Sequence, residues 1–218
     1  MTANLVCITD PSSSAAEAYR RLRVNLTSPT QGAPLEALLV VAAGPEPDKA
    51  SVVANLAVTF ARVGKQVILA DGDLRQPAQH TIFGLPNEQG ITTVLSAPSV
   101  ELPLQETGIE GLRLLSSGPP VELPSELLAS PAMAELVARL RQDADIVLFD
   151  APPVVSATDA AELAGAMDGV LLVVAAGRTK RDQAEQALQL LGRVGARVVG
   201  ATLINAPAGA GTATPALA

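Results

Sequence analysis

Short apolar runs and helical repeats alternate along this chain. Runs at 36–42, 66–71, 112–115, 145–150, 169–175 and 197–204 have the length and continuity of strands, and apolar positions recur at helical spacing near 50–63, 125–142, 158–166 and 180–194. A further helical pattern, Ala16 to Leu26, follows Ser12, Ser13 and Ser14, any of which suits an N-cap. Gly64 stands just past the 50–63 pattern, where a left-handed C-cap is expected. Ile146-Val147-Leu148-Phe149 and Val170-Leu171-Leu172-Val173-Val174 lack polar alternation. Strands of that kind are buried on both faces, which requires a parallel sheet covered by helices. The pattern therefore predicts an α/β fold, doubly wound around a mainly parallel sheet. Residues 1–13 read as a flexible N-terminus, 14–205 as a single domain and 206–218, built from Ala, Gly, Pro and Thr, as a disordered tail. Residues 28–34 read as a linker and 84–124, rich in Gly and Pro, as irregular.

Composition narrows the functions such a fold could carry. The chain has 218 residues, enough for one α/β domain with a substantial core. With three Phe, one Tyr and no Trp, it has almost no aromatic surface on which bases could stack. A formal charge of −7 and a pI near 4.7 argue against a broad nucleic-acid or anionic-membrane face. Cys7 is the only cysteine, so no internal disulfide forms and a reducing compartment is expected. No basic, apolar leader opens the chain and no apolar run reaches the roughly eighteen residues a membrane span needs. A cytoplasmic protein without direct membrane insertion is the expectation.

The candidate chemistry begins after the first strand, at Ala43-Gly44-Pro45-Glu46-Pro47-Asp48-Lys49-Ala50-Ser51. A strand, a loop ending in lysine and a following helix are the setting of a phosphate-binding P-loop. Such loops use glycine so that successive N–H groups can close on phosphate oxygens. Here acids and prolines fill those positions. Asp71 and Asp73 follow the second strand and Asp150 ends the fourth, and in an open parallel sheet ligands sit beyond these carboxyl ends. Three carboxylates on one edge beside Lys49 have the chemistry to hold Mg²⁺ and orient a nucleophile, although an aspartate after a strand also serves simply as a cap. No G-x-G-x-x-G follows the first strand, which makes a dinucleotide-binding enzyme a poor competitor. His80 reads as a loop or surface residue, Cys7 as incidental, and Arg178, Lys180 and Arg181 as a solvated basic group at a helix start.

Taken together, these residues resemble the bacterial tyrosine kinases of capsular and exopolysaccharide systems, within the P-loop class that includes the MinD and ParA ATPases. Glu17-Ala18-Tyr19-Arg20-Arg21-Leu22-Arg23 is similar to that family's E-x-x-R-x-x-R segment, Asp71-Gly72-Asp73-Leu74-Arg75-Gln76-Pro77 to its second Walker A signature, and Asp145-Ile146-Val147-Leu148-Phe149-Asp150-Ala151-Pro152-Pro153 to its Walker B strand. Phe83-Gly84-Leu85, Gly90-Ile91, Leu114-Leu115-Ser116-Ser117-Gly118-Pro119-Pro120, Pro124-Ser125-Glu126-Leu127-Leu128, Gly177-Arg178-Thr179 and Leu203-Ile204-Asn205 fit the same order. The resemblance implies a nucleotide site in which Lys49 meets the β- and γ-phosphates, Ser51 and Arg178 border the nucleotide and Asn205 lies by adenine. Asp71 and Asp73 then lie near Mg²⁺ and the attacking hydroxyl, with Asp71 and Asp150 as the metal carboxylates. It implies too that Glu17, Arg20 and Arg23 join protomers into a ring, although an ordinary amphipathic helix carries charges at the same spacing.

Departures from the family pattern set the functional expectation. Glu46 and Asp48 stand where glycines belong, and each carboxylate near a triphosphate costs roughly 3 kcal/mol at ~5 Å and an effective dielectric of ~20. Pro47 removes a cradle N–H, and Ala50 replaces the hydroxyl that ligates Mg²⁺. Kinases of this family usually modify a tyrosine-rich tail, but the only tyrosine here is Tyr19. The expected role is a catalytically inactive or severely impaired subunit, peripheral to the inner membrane through a membrane polysaccharide co-polymerase, with no cofactor held at high occupancy. One alternative is an active kinase using ATP and Mg²⁺ on a partner chain. Another is a MinD/ParA-like positioning ATPase, although the loop lacks the extra lysine such proteins carry near its start.

Overall fold

A computed structural model describes residues 5–28, 33–156 and 158–206. Seven strands form one sheet in the order β3-β4-β2-β5-β1-β6-β7. They are β1 (Ala37–Ala42), β2 (Val67–Asp71), β3 (Gln105–Glu106), β4 (Leu112–Leu115), β5 (Ile146–Asp150), β6 (Gly169–Ala175) and β7 (Val198–Ile204). Every pairing is parallel except β3 with β4. The six expected strands are all present. β3, only two residues long, is an addition that no apolar run announces.

Alternation along each strand divides the core in two. Leu39, Val41, Ile68, Ala70, Val147 and Phe149 face a layer made by α5 (Ile91–Ser96), α7 (Pro131–Gln142), α8 (Asp159–Ala164) and α9 (Arg181–Arg193). Leu38, Val40, Leu69, Leu148 and Leu171 face α1 (Val6–Thr9), α2 (Ser14–Leu26), α3 (Lys49–Ala61) and α4 (Gln79–Phe83). The helix α3 is buried nearly all round, so its apolar residues do not confine themselves to one stripe.

Three expectations need correction. Within the supposedly flexible lead-in, α1 forms and buries Leu5 and Cys7, with the Cys7 N–H donating to the Asn55 side chain at 2.9 Å. Four residues are too few for periodicity to reveal. The pattern at 125–142 is two helices, α6 (Pro124–Leu128) and α7, because Pro131 lacks an N–H and Ser130 before it is extended. The irregular stretch 84–124 contains α5, a single buried turn and a half. The disordered-tail expectation for 207–218 lies outside the described residues, as does most of the expected linker.

Candidate functional site

The sheet order places β5 between β1 and β2, so their carboxyl ends lie side by side. Asp71 and Asp150 are register partners at that edge, and both are buried. Gly72 makes the approach possible: its N–H donates to the Asp150 carbonyl at 2.7 Å, and a Cβ on it would lie 2.9 Å from the same oxygen. Lys49, the first residue of α3, reaches across and donates from Nζ to Asp150 Oδ1, with both side chains almost wholly buried.

Asp71 Oδ2 accepts the backbone N–H groups of Ala78 and Gln79 at 3.0 and 2.9 Å. Burial, and next the Asp150 charge, push its carboxyl up to about 8, against the pull of the Gln79 N–H and Lys49. Asp73 is also raised, first by burial, and its Oδ1 accepts the Gln76 N–H at 3.0 Å. Thus Lys49, Asp71, Asp73 and Asp150, predicted from separate motifs, come together. Yet among the described residues no three His, Cys, Asp or Glu side chains are arranged to hold a metal ion.

The polar groups of the loop between β1 and α3 are engaged within the loop and by residues that follow β6 and β7. Glu46, with a side chain 2% exposed, accepts from the Asp48 N–H at 3.2 Å and from Arg178 Nη1 at 3.0 Å through the same Oε1. Arg178 Nη1 also meets Asp48 Oδ2 at 3.3 Å, and Asn205 Nδ2 donates to that oxygen at 3.1 Å. Arg178 is more than half exposed, as a solvated basic residue would be, but it also has specific acidic partners. It is the counter-ion of two loop acids, while Arg181 pairs along its own helix with Glu185. Asn205 holds φ 57°, a left-handed conformation that Asn tolerates. Ser51 is exposed, and only its carbonyl is engaged, by Asn55 Nδ2.

A triphosphate with Mg²⁺ does not fit this arrangement. Pro45 and Pro47 offer no N–H, the Asp48 N–H is taken by Glu46, Lys49 is turned to Asp150, and Ala50 has no side-chain hydroxyl to give.

Two groups of residues carry structure that motif reading did not anticipate. Gln79, fully buried, donates from Nε2 to Asp150 Oδ2 at 2.7 Å and to the Ala50 carbonyl at 3.0 Å. Arg75 donates to both oxygens of Asp159, at 2.8 and 3.1 Å, and to Ser125 Oγ at 3.0 Å. Burial pushes Asp159 upward, but hydrogen bonds from Arg75 and Ser125 outweigh it and hold the carboxyl below its usual value. The sequence signal for this clamp was the arginine of the Asp71–Pro77 motif. Nothing local marks Asp159 as its partner 84 residues away.

On α2, Glu17 pairs with Arg20 at 2.7 Å and with Arg21 at 3.3 Å, and Arg20 also donates to the Pro11 carbonyl at 2.8 Å. Arg23 Nε is buried with no hydrogen-bond partner among the described residues. Tyr19 is half-buried, and its hydroxyl is pushed up to about 12, first by burial and then by the charges of Cys7 and Asp48. Cys7 is raised by burial, as an inert core thiol should be. His80 lies on α4 rather than in a loop and is half-buried, its ring beside Thr81 Oγ1 at 3.2 Å.

The chain is 37% identical over 204 residues to tyrosine-protein kinase YwqD of Bacillus subtilis (strain 168), covering 93% of this chain and 86% of that protein. It is 32% identical over 198 residues to the putative tyrosine-protein kinase CapB of Staphylococcus aureus, covering 90% and 87%. Among solved structures, the kinase domain of Escherichia coli tyrosine kinase ETK superposes with a TM-score of 0.89 at 28% identity, covering 99% of this chain and 86% of that one. The septum site-determining protein MinD of Pyrococcus horikoshii OT3, solved with Mg-ADP, gives a TM-score of 0.64 at 21% identity over 77% of this chain and 69% of that one, a likeness of fold alone. No family model matches the chain.

Proposed function

Since the chain belongs to the bacterial tyrosine-protein kinase family, we propose that it is a kinase-fold subunit whose phosphoryl transfer is lost or severely impaired and which acts by assembly. One observation carries this reading: the buried Glu46 carboxylate draws the Asp48 N–H and the Arg178 guanidinium inward. An anion belonging to the protein thus occupies donors that a phosphate would need. Phosphoryl transfer depends on positioning and on neutralising charge, and this loop opposes both.

The partner in this reading is a membrane polysaccharide co-polymerase, which would hold the protein at the cytoplasmic side of the inner membrane. Self-assembly would use the Glu17, Arg20 and Arg23 face of α2. None of the described helices is long and apolar enough to cross a membrane.

Calorimetry with Mg-ATP is expected to show no binding below ~1 mM nucleotide. Micromolar binding overturns the reading. Light scattering tests the ring: Arg20→Ala/Arg23→Ala should lower the mass, and an unchanged mass removes this face from assembly.

A second reading, an active kinase that uses ATP and Mg²⁺ on a partner chain, is favoured by one observation. Lys49, Asp73 and Asp150 surround Asp71, whose carboxyl is pushed up to about 8, a range suited to a general base. Phosphate transfer to a tyrosine-rich partner, absent in Lys49→Met, would select it.

A further inference from the structure

The cation half of the cleft has its own internal occupant, on residues separate from Glu46. Gln79 opens the short helix α4, and its polar groups reach three places that motif reading kept apart. Its N–H goes to Asp71 Oδ2 at 2.9 Å, and its Nε2 to Asp150 Oδ2 at 2.7 Å and to the Ala50 carbonyl at 3.0 Å. Both partners of Nε2 are acceptors, so the amide must present its NH₂ to them. Lys49 Nζ fills the remaining Asp150 oxygen.

In P-loop sites a hard divalent cation lies between the hydroxyl after the loop lysine and the strand-end carboxylate. Position 50 here carries no hydroxyl, and the NH₂ of Gln79 bridges from the backbone of that residue to the carboxylate. Two polarised N–H groups and one ammonium therefore satisfy both Asp150 oxygens and Asp71 Oδ2, while Asp71 Oδ1 is buried with no hydrogen-bond partner among the described residues. We infer that Gln79, together with Lys49, takes the place of the divalent cation, so that this carboxylate edge holds its native geometry without metal. The inference deepens the proposed loss of phosphoryl transfer, but it stands on the metal alone, whatever the loop does with nucleotide.

The test reads metal binding without nucleotide, by thermal unfolding and by Mn²⁺ titration. The wild-type Tm should be the same in chelator and in ~10 mM Mg²⁺. Gln79→Glu turns the bridging donor into a third carboxylate beside Asp71 and Asp150. It should unfold at lower temperature in chelator, recover several degrees with Mg²⁺, and bind one Mn²⁺ at least about tenfold more tightly than wild type.

Should Gln79→Glu fail to fold, a second pair decides. Ala50→Ser alone should gain no Mn²⁺ affinity while Gln79 remains, whereas Ala50→Ser/Gln79→Ala should gain it. Sub-millimolar Mn²⁺ binding by the wild type that is lost in Asp150→Asn overturns the inference, as does equal Mn²⁺ affinity in all variants. Tight Mg-ATP binding by a wild type that takes no metal on its own would overturn only the proposed function.

Discussion

The two loops that flank the cleft are anchored in opposite ways. The loop between β1 and α3 turns inward: its two acids, Glu46 and Asp48, share the single Arg178 that follows β6, and Asn205 after β7 donates to Asp48. The loop after β2 turns outward. Its backbone is tied to β5 through Gly72, its Asp71 receives the start of α4, and its Arg75 reaches α8 and α6 through Asp159 and Ser125. A loop anchored to distant elements is part of the framework, and changing it disturbs packing elsewhere. A loop held through one small polar cluster, whose arginine is itself more than half exposed, is freer to diverge because less of the core is packed against it. A family scaffold can in this way persist while the sequence of the loop between β1 and α3 changes.

The most damaging way to test this contrast is at the bridge between the two loops. Lys49→Met leaves the Asp150 carboxylate buried with only the Gln79 amide, and breaking a buried pair in this way costs about 3–5 kcal/mol. For a chain of this size that lowers Tm by roughly 10 °C. A Tm within about 2 °C of wild type would mean that the bridge is not structural.

Next in size is Arg75→Ala. Asp159 is fully buried but Arg75 is half-exposed, so the expected cost falls to about 2–3 kcal/mol. Urea unfolding measures it, and a loss below ~0.5 kcal/mol would place the second loop in the same class as the first.

The pH dependence is the third test. Asp71 keeps its proton in the folded state up to about pH 8, whereas in the unfolded chain it ionises near its ordinary value of 3.8. Between those limits the folded state binds more protons, so stability falls as pH rises, by a few kcal/mol across the window. Asp71→Asn should flatten this slope in Tm against pH, and an unchanged slope would assign it to another group.

The smallest effect expected is at the first loop. Glu46→Gly/Asp48→Gly should raise affinity for inorganic phosphate or ATP by about tenfold, equivalent to ~1.4 kcal/mol, with little change in Tm. A large loss of stability would show that the inward-turned loop is framework after all.

The strands were readable because burial on both faces leaves a continuous apolar record, as in Leu38–Ala42 and Ile146–Phe149. The cleft carboxylates were readable because strand ends in a parallel sheet gather on one edge. What local sequence could not reveal was pairing across the fold. Nothing local gives Arg178 an acidic partner until β6 is laid beside β1 and brings it to Glu46, 132 residues earlier. Gln79 is an unremarkable polar residue until the β2–β5 register sets Asp150 beneath it. The helix break at Ser130-Pro131 was legible in principle, since proline disfavours helix in the residue before it.

With no tryptophan and a single tyrosine, half-buried on α2 near Cys7 and Asp48, the protein has one dominant near-ultraviolet emitter, at the face proposed for self-assembly. Its intrinsic emission is therefore a single-site reporter that needs no dye. Docking of α2, or its release, will be read from Tyr19 while the rest of the domain stays optically silent.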